Sequence, residues 1–157
     1  MADVFDGVLG QPRVRSFLRS SVSSGRVSHA YLFVGPAGSG KTQAAYALAQ
    51  AIVCPQGGCG SCDDCRRVER HNHPDVHYYA PEGAQGYVVS QIREIVADAA
   101  LAPIRSRSKV YVLDRVDLLG IQPANAFLKT LEEPIPGVTF LLLARTREGV
   151  LPTIVSR

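Results

Sequence analysis

Eight consecutive residues, Gly35-Pro36-Ala37-Gly38-Ser39-Gly40-Lys41-Thr42, carry the spacing G-x-x-x-x-G-K-[ST] of a phosphate-binding loop. Glycine lets successive backbone N–H groups turn inward around phosphate oxygens. A helix beginning near Lys41 would add the positive end of its dipole. The Lys41 ammonium is then expected on the β and γ phosphates, and the Thr42 hydroxyl on Mg²⁺. A second metal-side group is expected at the end of another buried strand. Val110-Tyr111-Val112-Leu113 has the apolar character of such a strand, and Asp114 follows it. Asp114 therefore reads as the carboxylate that holds Mg²⁺, although taken alone it is equally an ordinary strand-end turn residue. ATP and Mg²⁺ are the cofactors this pair implies. The next residue is Arg115, where ATPases that activate water usually carry a carboxylate. Arginine stays protonated and cannot act as the base. Asp117 lies nearby but is displaced along the chain, so binding of nucleotide with poor hydrolysis is expected.

The second constellation is sulfur. All four cysteines, Cys54, Cys59, Cys62 and Cys65, follow the pattern C-x4-C-x2-C-x2-C, interrupted by Gly57, Gly58 and Gly60. Four thiolates this close can converge on one tetrahedral Zn²⁺, and glycines permit the tight turns that aim each sulfur inward. Such a site leaves no open position for water, so it is structural rather than catalytic. Two short-loop disulfides and an iron–sulfur cluster are the alternatives. His71, His73 and His77 follow the module and read as loop or strand residues rather than ligands.

These groups must be carried by a scaffold, and the pattern is that of an α/β protein. Strands are expected at 30–34, 75–79, 109–114 and 138–144, and helices at 12–24, 41–53, 88–100 and 122–132. The segment 88–100 carries apolar residues at 88, 92, 95, 96 and 99, a helical period. Helices between short apolar strands imply crossovers and a parallel sheet covered on both faces. The ligand of such a sheet lies at the carboxyl ends of its strands, where the glycine-rich loop and Asp114 both fall. The cysteine module interrupts this plan as an insertion.

Composition narrows the class further. A chain of 157 residues is one domain's length, and 46% apolar with 20% charged residues excludes a disordered chain. No apolar run approaches the ~20 residues of a membrane span. The beginning of the chain shows no basic segment leading into an apolar one, so no secretory signal and a reducing, cytoplasmic setting are expected. The formal charge of +3 excludes binding of nucleic acid by bulk charge alone. That excess sits within the first 53 residues, on Arg13, Arg15, Arg19, Arg26 and Lys41, as a solvated helix face or a surface that meets phosphate.

Residues 124–134, Ala-Asn-Ala-Phe-Leu-Lys-Thr-Leu-Glu-Glu-Pro, resemble a signature of the bacterial clamp-loader subunits, AAA+ proteins of the DNA polymerase III holoenzyme. Further likenesses run in order along the chain. They are Val8-Leu9-Gly10-Gln11, which is similar to an element near the adenine pocket, His29-Ala30-Tyr31-Leu32-Phe33 before the loop, the cysteine module, Thr146 at the place of the sensor-1 polar residue, and Ser156-Arg157. The resemblance implies a P-loop AAA+ sheet sandwiched by helices. It also implies that Arg157 is an arginine finger, reaching a nucleotide held by a neighbouring tau/gamma subunit. Within the family, His73-Pro74-Asp75, Ala80-Pro81-Glu82-Gly83 and the lost carboxylate at Arg115 look more like the delta-prime branch, a stator, than the tau/gamma motor branch. The implied partners are the tau/gamma and delta subunits, the sliding clamp, and primer-template DNA through the assembled loader. Family members continue with a further strand, a lid and a collar. Residues 1–157 are accordingly expected to be the AAA+ nucleotide-binding domain of a longer subunit, with the zinc module at about 54–65.

Two other classes compete. A self-sufficient P-loop kinase would need an arginine-rich lid or an acceptor site, and neither is apparent. A zinc-ribbon reader of nucleic acid would need a stacking platform, and no aromatic residue lies between 54 and 70.

Overall fold

The four apolar runs form strands β1 (Ala30–Val34), β2 (Val76–Tyr79), β3 (Lys109–Leu113) and β4 (Val138–Ala144). In the computed structural model, which describes residues 4–7 and 12–146, all three strand pairings are parallel and the order is β1-β4-β3-β2. Parallel neighbours need crossovers. These are supplied by α2 (Lys41–Val53), α3 (Asp63–Glu69), α4 (Val89–Ala99) and α5 (Ile121–Glu132), with α1 (Pro12–Ser23) preceding the sheet.

Successive strand residues point to opposite faces, and both faces are apolar. Val110, Val112, Leu141 and Leu143 join Phe5, Leu18, Leu48 and Val68, so α1, α2 and α3 cover one side. Tyr111, Leu113, Phe140 and Leu142 join Ile92, Ile95, Phe127 and Leu131, so α4 and α5 cover the other. Burial on both faces explains why β3 and β4 read as unbroken apolar runs rather than alternating ones. Among the described residues β1 and β2 are the sheet edges.

α2 is an alanine-rich helix that buries Ala44, Ala45, Ala47, Leu48, Ala49 and Ala51, small residues that let it lie close to the sheet. At the far face, buried Lys109 places its ammonium on the Asp98 and Leu101 carbonyls at the end of α4. A cation is favoured at that negative helix end.

The expected elements are present with ends shifted by at most a residue or two. The sheet strand stops at Leu113, so Asp114 stands just past it. Among the described residues, the one α-helix that periodicity did not reveal is α3, seven residues inside the cysteine segment, too short to show a hydrophobic period.

Candidate functional site

Parallel pairing puts every strand's carboxyl end on one rim of the sheet. Val34 pairs with Ala144, and Leu113 with Leu142, so the loops after β1, β3 and β4 leave from the same edge. The glycine-rich loop joins β1 to α2. Gly38 and Gly40 adopt left-handed backbone (φ 81° and 87°), which glycine takes without the Cβ clash. Gly40 is also the N-cap of α2 and offers no side-chain cap, leaving the positive end of the helix to face whatever lies beyond it. The loop is closed by Ser39 N donating to Pro36 O (3.1 Å), and the Lys41 ammonium folds back onto the same carbonyl (3.2 Å). Thr42 is exposed in the first turn of α2. Beside the loop, α1 and β1 enclose a cleft of ≈ 460 Å³ lined by Arg13, Val14, Phe17, Tyr31 and the loop itself.

Asp114 is held from three directions. Its backbone N donates to Tyr79 O (2.8 Å), the Tyr78 hydroxyl donates to Oδ2 (2.7 Å), and the Arg115 amide donates to Oδ1 (2.9 Å). The Tyr87 hydroxyl donates to its backbone carbonyl. Tyr78 stacks on Tyr46 of α2, with centroids 6.5 Å apart and planes at 20°. Tyr46 sits one turn beyond Thr42. Burial and then the Asp114 charge push its phenol up, so the carboxylate's field reaches α2. These three tyrosines were not foreseen. They lie on different elements, and nothing in their spacing marks them.

The position after Asp114 is occupied as the sequence indicated, with a geometry it did not show. Arg115 adopts left-handed backbone (φ 54°). Its guanidinium grips the Asp117 carboxylate, and Asp117 also accepts from Arg145 N (3.3 Å). Burial raises the Asp117 carboxyl, but Arg115 and the Arg145 amide outweigh it, and the group sits below the usual carboxylate range. Thr146, at the end of the described residues after β4, is exposed on this rim. Arg157, Ser156 and the segment Val8–Gln11 lie outside the described residues.

The cysteines lie on the opposite flank of α2. Cys54 caps the C-terminus of α2, Cys62 is the N-cap of α3, and Cys65 lies in that helix. All four Sγ atoms fall within 4.8 Å of one another, with Cys54 and Cys65 buried. Four sulfurs at ~2.3 Å from one tetrahedral zinc stand roughly 3.8 Å apart. The Cys54–Cys59 and Cys54–Cys62 separations are 3.8 and 3.6 Å. Backbone N–H groups of Gln56, Gly60, Cys62 and Cys65 donate to the sulfurs. The four are free cysteines and the donor set fits a structural zinc. The disulfide alternative is not the arrangement seen.

His73 is no ligand but a strut. Its Nδ1 accepts from Asp75 N (3.1 Å), which leaves Nε2 to donate to Asp64 of α3 (2.8 Å). Asp75, fully buried, accepts from the amides of Ile104, Arg105 and Ser106 at 2.6–2.7 Å. The Arg105 side chain returns to Asp63 and Asp64. The cysteine module is thereby tied to the loop that enters β3.

A family model described as "DNA polymerase III, delta subunit" matches residues 10–157. The Bacillus subtilis DNA polymerase III subunit delta' is 38% identical over 150 residues, covering 94% of this chain and 45% of that protein. The tau subunit of Escherichia coli is 40% identical over 157 residues, 98% of this chain and 24% of that protein. The chain thus spans less than half the length of either relative. Among solved structures, a DNA polymerase III gamma subunit-related protein of Thermotoga maritima superposes with a TM-score of 0.65 at 25% identity, covering 90% of this chain and 43% of that one. A RuvB mutant of the same organism, at 19% identity and a TM-score of 0.59 over 99% of this chain and 46% of that one, shares the fold.

Proposed function

This chain belongs to the DNA polymerase III delta-subunit family, the clamp-loader subunits, and on that premise we propose that it is the AAA+ nucleotide-binding domain, residues 1–157, of a delta-prime-type stator. Gly35, Pro36, Ala37, Gly38, Ser39 and Gly40 would wrap the phosphates, with backbone N–H donors from Ala37 onward, since Pro36 has no N–H and Gly35 N donates to Ala144 O. Lys41 would neutralise them, and Thr42 and Asp114 would face Mg²⁺. The apolar wall of Val14, Phe17 and Tyr31 beside the loop suits an adenine base. Cys54, Cys59, Cys62 and Cys65 would hold a structural zinc that clamps α2 to α3.

The observation that carries the stator reading is the Arg115–Asp117 pair. The place of a water-activating carboxylate is taken by a cation, and the nearest carboxylate is spent on neutralising it. Hydrolysis by this domain is therefore weak or absent. Arg157 would serve as the arginine finger for the nucleotide of a neighbouring tau/gamma subunit, with Thr146 as the sensor-1 residue at the rim. The delta subunit, the sliding clamp and primer-template DNA would be met through the assembled loader. A tau/gamma-type motor is the second reading, favoured by the 40% identity to the Escherichia coli tau subunit.

The test is reconstitution of the loader with Arg157→Ala in this subunit. A finger supplied across an interface is worth about 10³–10⁵ in turnover at the site it serves. DNA-stimulated ATPase should fall accordingly, while the subunit alone turns over no ATP. Rapid ATP turnover by the subunit alone would favour the motor reading.

A further inference from the structure

Both oxygens of the carboxylate expected to face Mg²⁺ are taken by donors of the protein itself. Asp114 Oδ2 accepts from the Tyr78 hydroxyl at 2.7 Å and Oδ1 from the Arg115 amide at 2.9 Å. The second donor is fixed by the backbone. The first is fixed by packing. Tyr78 comes from edge strand β2, its ring stacks on Tyr46 of α2, and Tyr46 is in turn met edge-on by His71 at 4.8 Å. Asp114 is also anchored through its main chain by the Tyr87 hydroxyl, so it cannot slide away from Tyr78 without breaking a second contact.

Mg²⁺ needs near-ideal octahedral oxygen geometry and keeps several of its waters, each a donor seeking an acceptor. A carboxylate already receiving a phenol O–H and a backbone N–H presents less of its lone-pair directions to those waters. We propose that Tyr78 is a positioning residue that competes with the waters of Mg²⁺ for the Asp114 carboxylate, so that this site binds nucleotide with little help from the metal. The inference rests on the nucleotide-binding reading of the glycine-rich loop and goes beyond it. Poor catalysis is then built in twice, by the cation at Arg115 and by a tyrosine that competes for the metal-side acid.

The experiment is calorimetric titration of the purified protein with ATP, once in EDTA and once in MgCl₂. For the wild type the two affinities should agree within about threefold, less than the roughly tenfold worth of one hydrogen bond to a charged group. Tyr78→Phe keeps the stacked, half-exposed ring and removes only the hydroxyl. It should leave the EDTA affinity unchanged and tighten binding in MgCl₂ by about tenfold. In an Asp114→Asn background the same substitution should change neither. A Tyr78→Phe protein with the wild-type Mg²⁺ dependence, in which Lys41→Ala still abolishes ATP binding, overturns the positioning role and leaves the nucleotide reading standing. A gain that persists in the Asp114→Asn background overturns it too. A wild-type protein that binds no ATP in either buffer sinks both.

Discussion

The Arg115 guanidinium meets the Asp117 carboxylate on two nitrogens, Nη2 at 2.9 Å and Nε at 3.2 Å from Oδ2. That pair joins the loop after β3 to the loop after β4, because Asp117 also accepts from Arg145 N. It therefore organises the rim on which Asp114 and Thr146 stand.

Replacing Asp117 by Asn should lower stability by about 1–3 kcal/mol, the cost of leaving charged and polar donors poorly matched. The pH dependence has a definite sign. The folded Asp117 carboxyl is held below its ordinary value, so its contribution is present above the unfolded pKa of ~3.9 and is lost as pH falls through the folded one. Denaturant melts of wild type and Asp117→Asn should differ at pH 7 and converge as the pH falls through the depressed folded pKa. A constant gap across that range would rule out the ion pair as the cause.

Asp75 makes a stronger prediction. Burial pushes its carboxyl up, but three backbone amides and then His73 pull it down further, and it ends below the usual range. Asp75→Ala removes the acceptor of three N–H groups at once and should cost about 3 kcal/mol or more. For a chain of this length that is a fall in melting temperature of roughly 6–12 °C. Because Asp75 and His73 tie the module to the loop before β3, hydrogen exchange should accelerate at residues 104–106 before it does in α5. Unchanged protection at 104–106 would contradict the strut.

The cysteine cluster should bring one zinc per chain on elemental analysis. Its four sulfurs already lie within 4.8 Å of one another, at the end of α2 and the start of α3. Removing the metal with a strong chelator should lower the melting temperature and loosen the segment 54–69, while the sheet keeps its far-ultraviolet signal. Cys62→Ser should reproduce the effect without chelator. A metal-free protein that melts at the same temperature would end the structural role.

Much of this was legible before any fold was known. The P-loop spacing, the C-x4-C-x2-C-x2-C run, the apolar strands and the signature at 124–134 are local patterns, and local patterns survive in one dimension. A strand buried on both faces is written as Val110-Tyr111-Val112-Leu113 whatever packs on it. The acid after it could be named as a candidate on the same grounds.

What stayed hidden depends on residues distant in the chain being brought together. Tyr78 and Tyr87 hold Asp114, with Tyr46 stacked on Tyr78, because α2, β2 and the segment before α4 converge on one rim of a parallel sheet, and no spacing records that convergence. The role of His73 likewise follows from Asp64 and Ser106, 9 and 33 residues away in the chain, both meeting its Nε2. The order of residues alone named the candidate side chains for phosphate and metal. Only the packed chain settled which of their atoms are already engaged by neighbours, since a hydrogen bond between Tyr78 and Asp114 forms only when the sheet places two neighbouring strands in register.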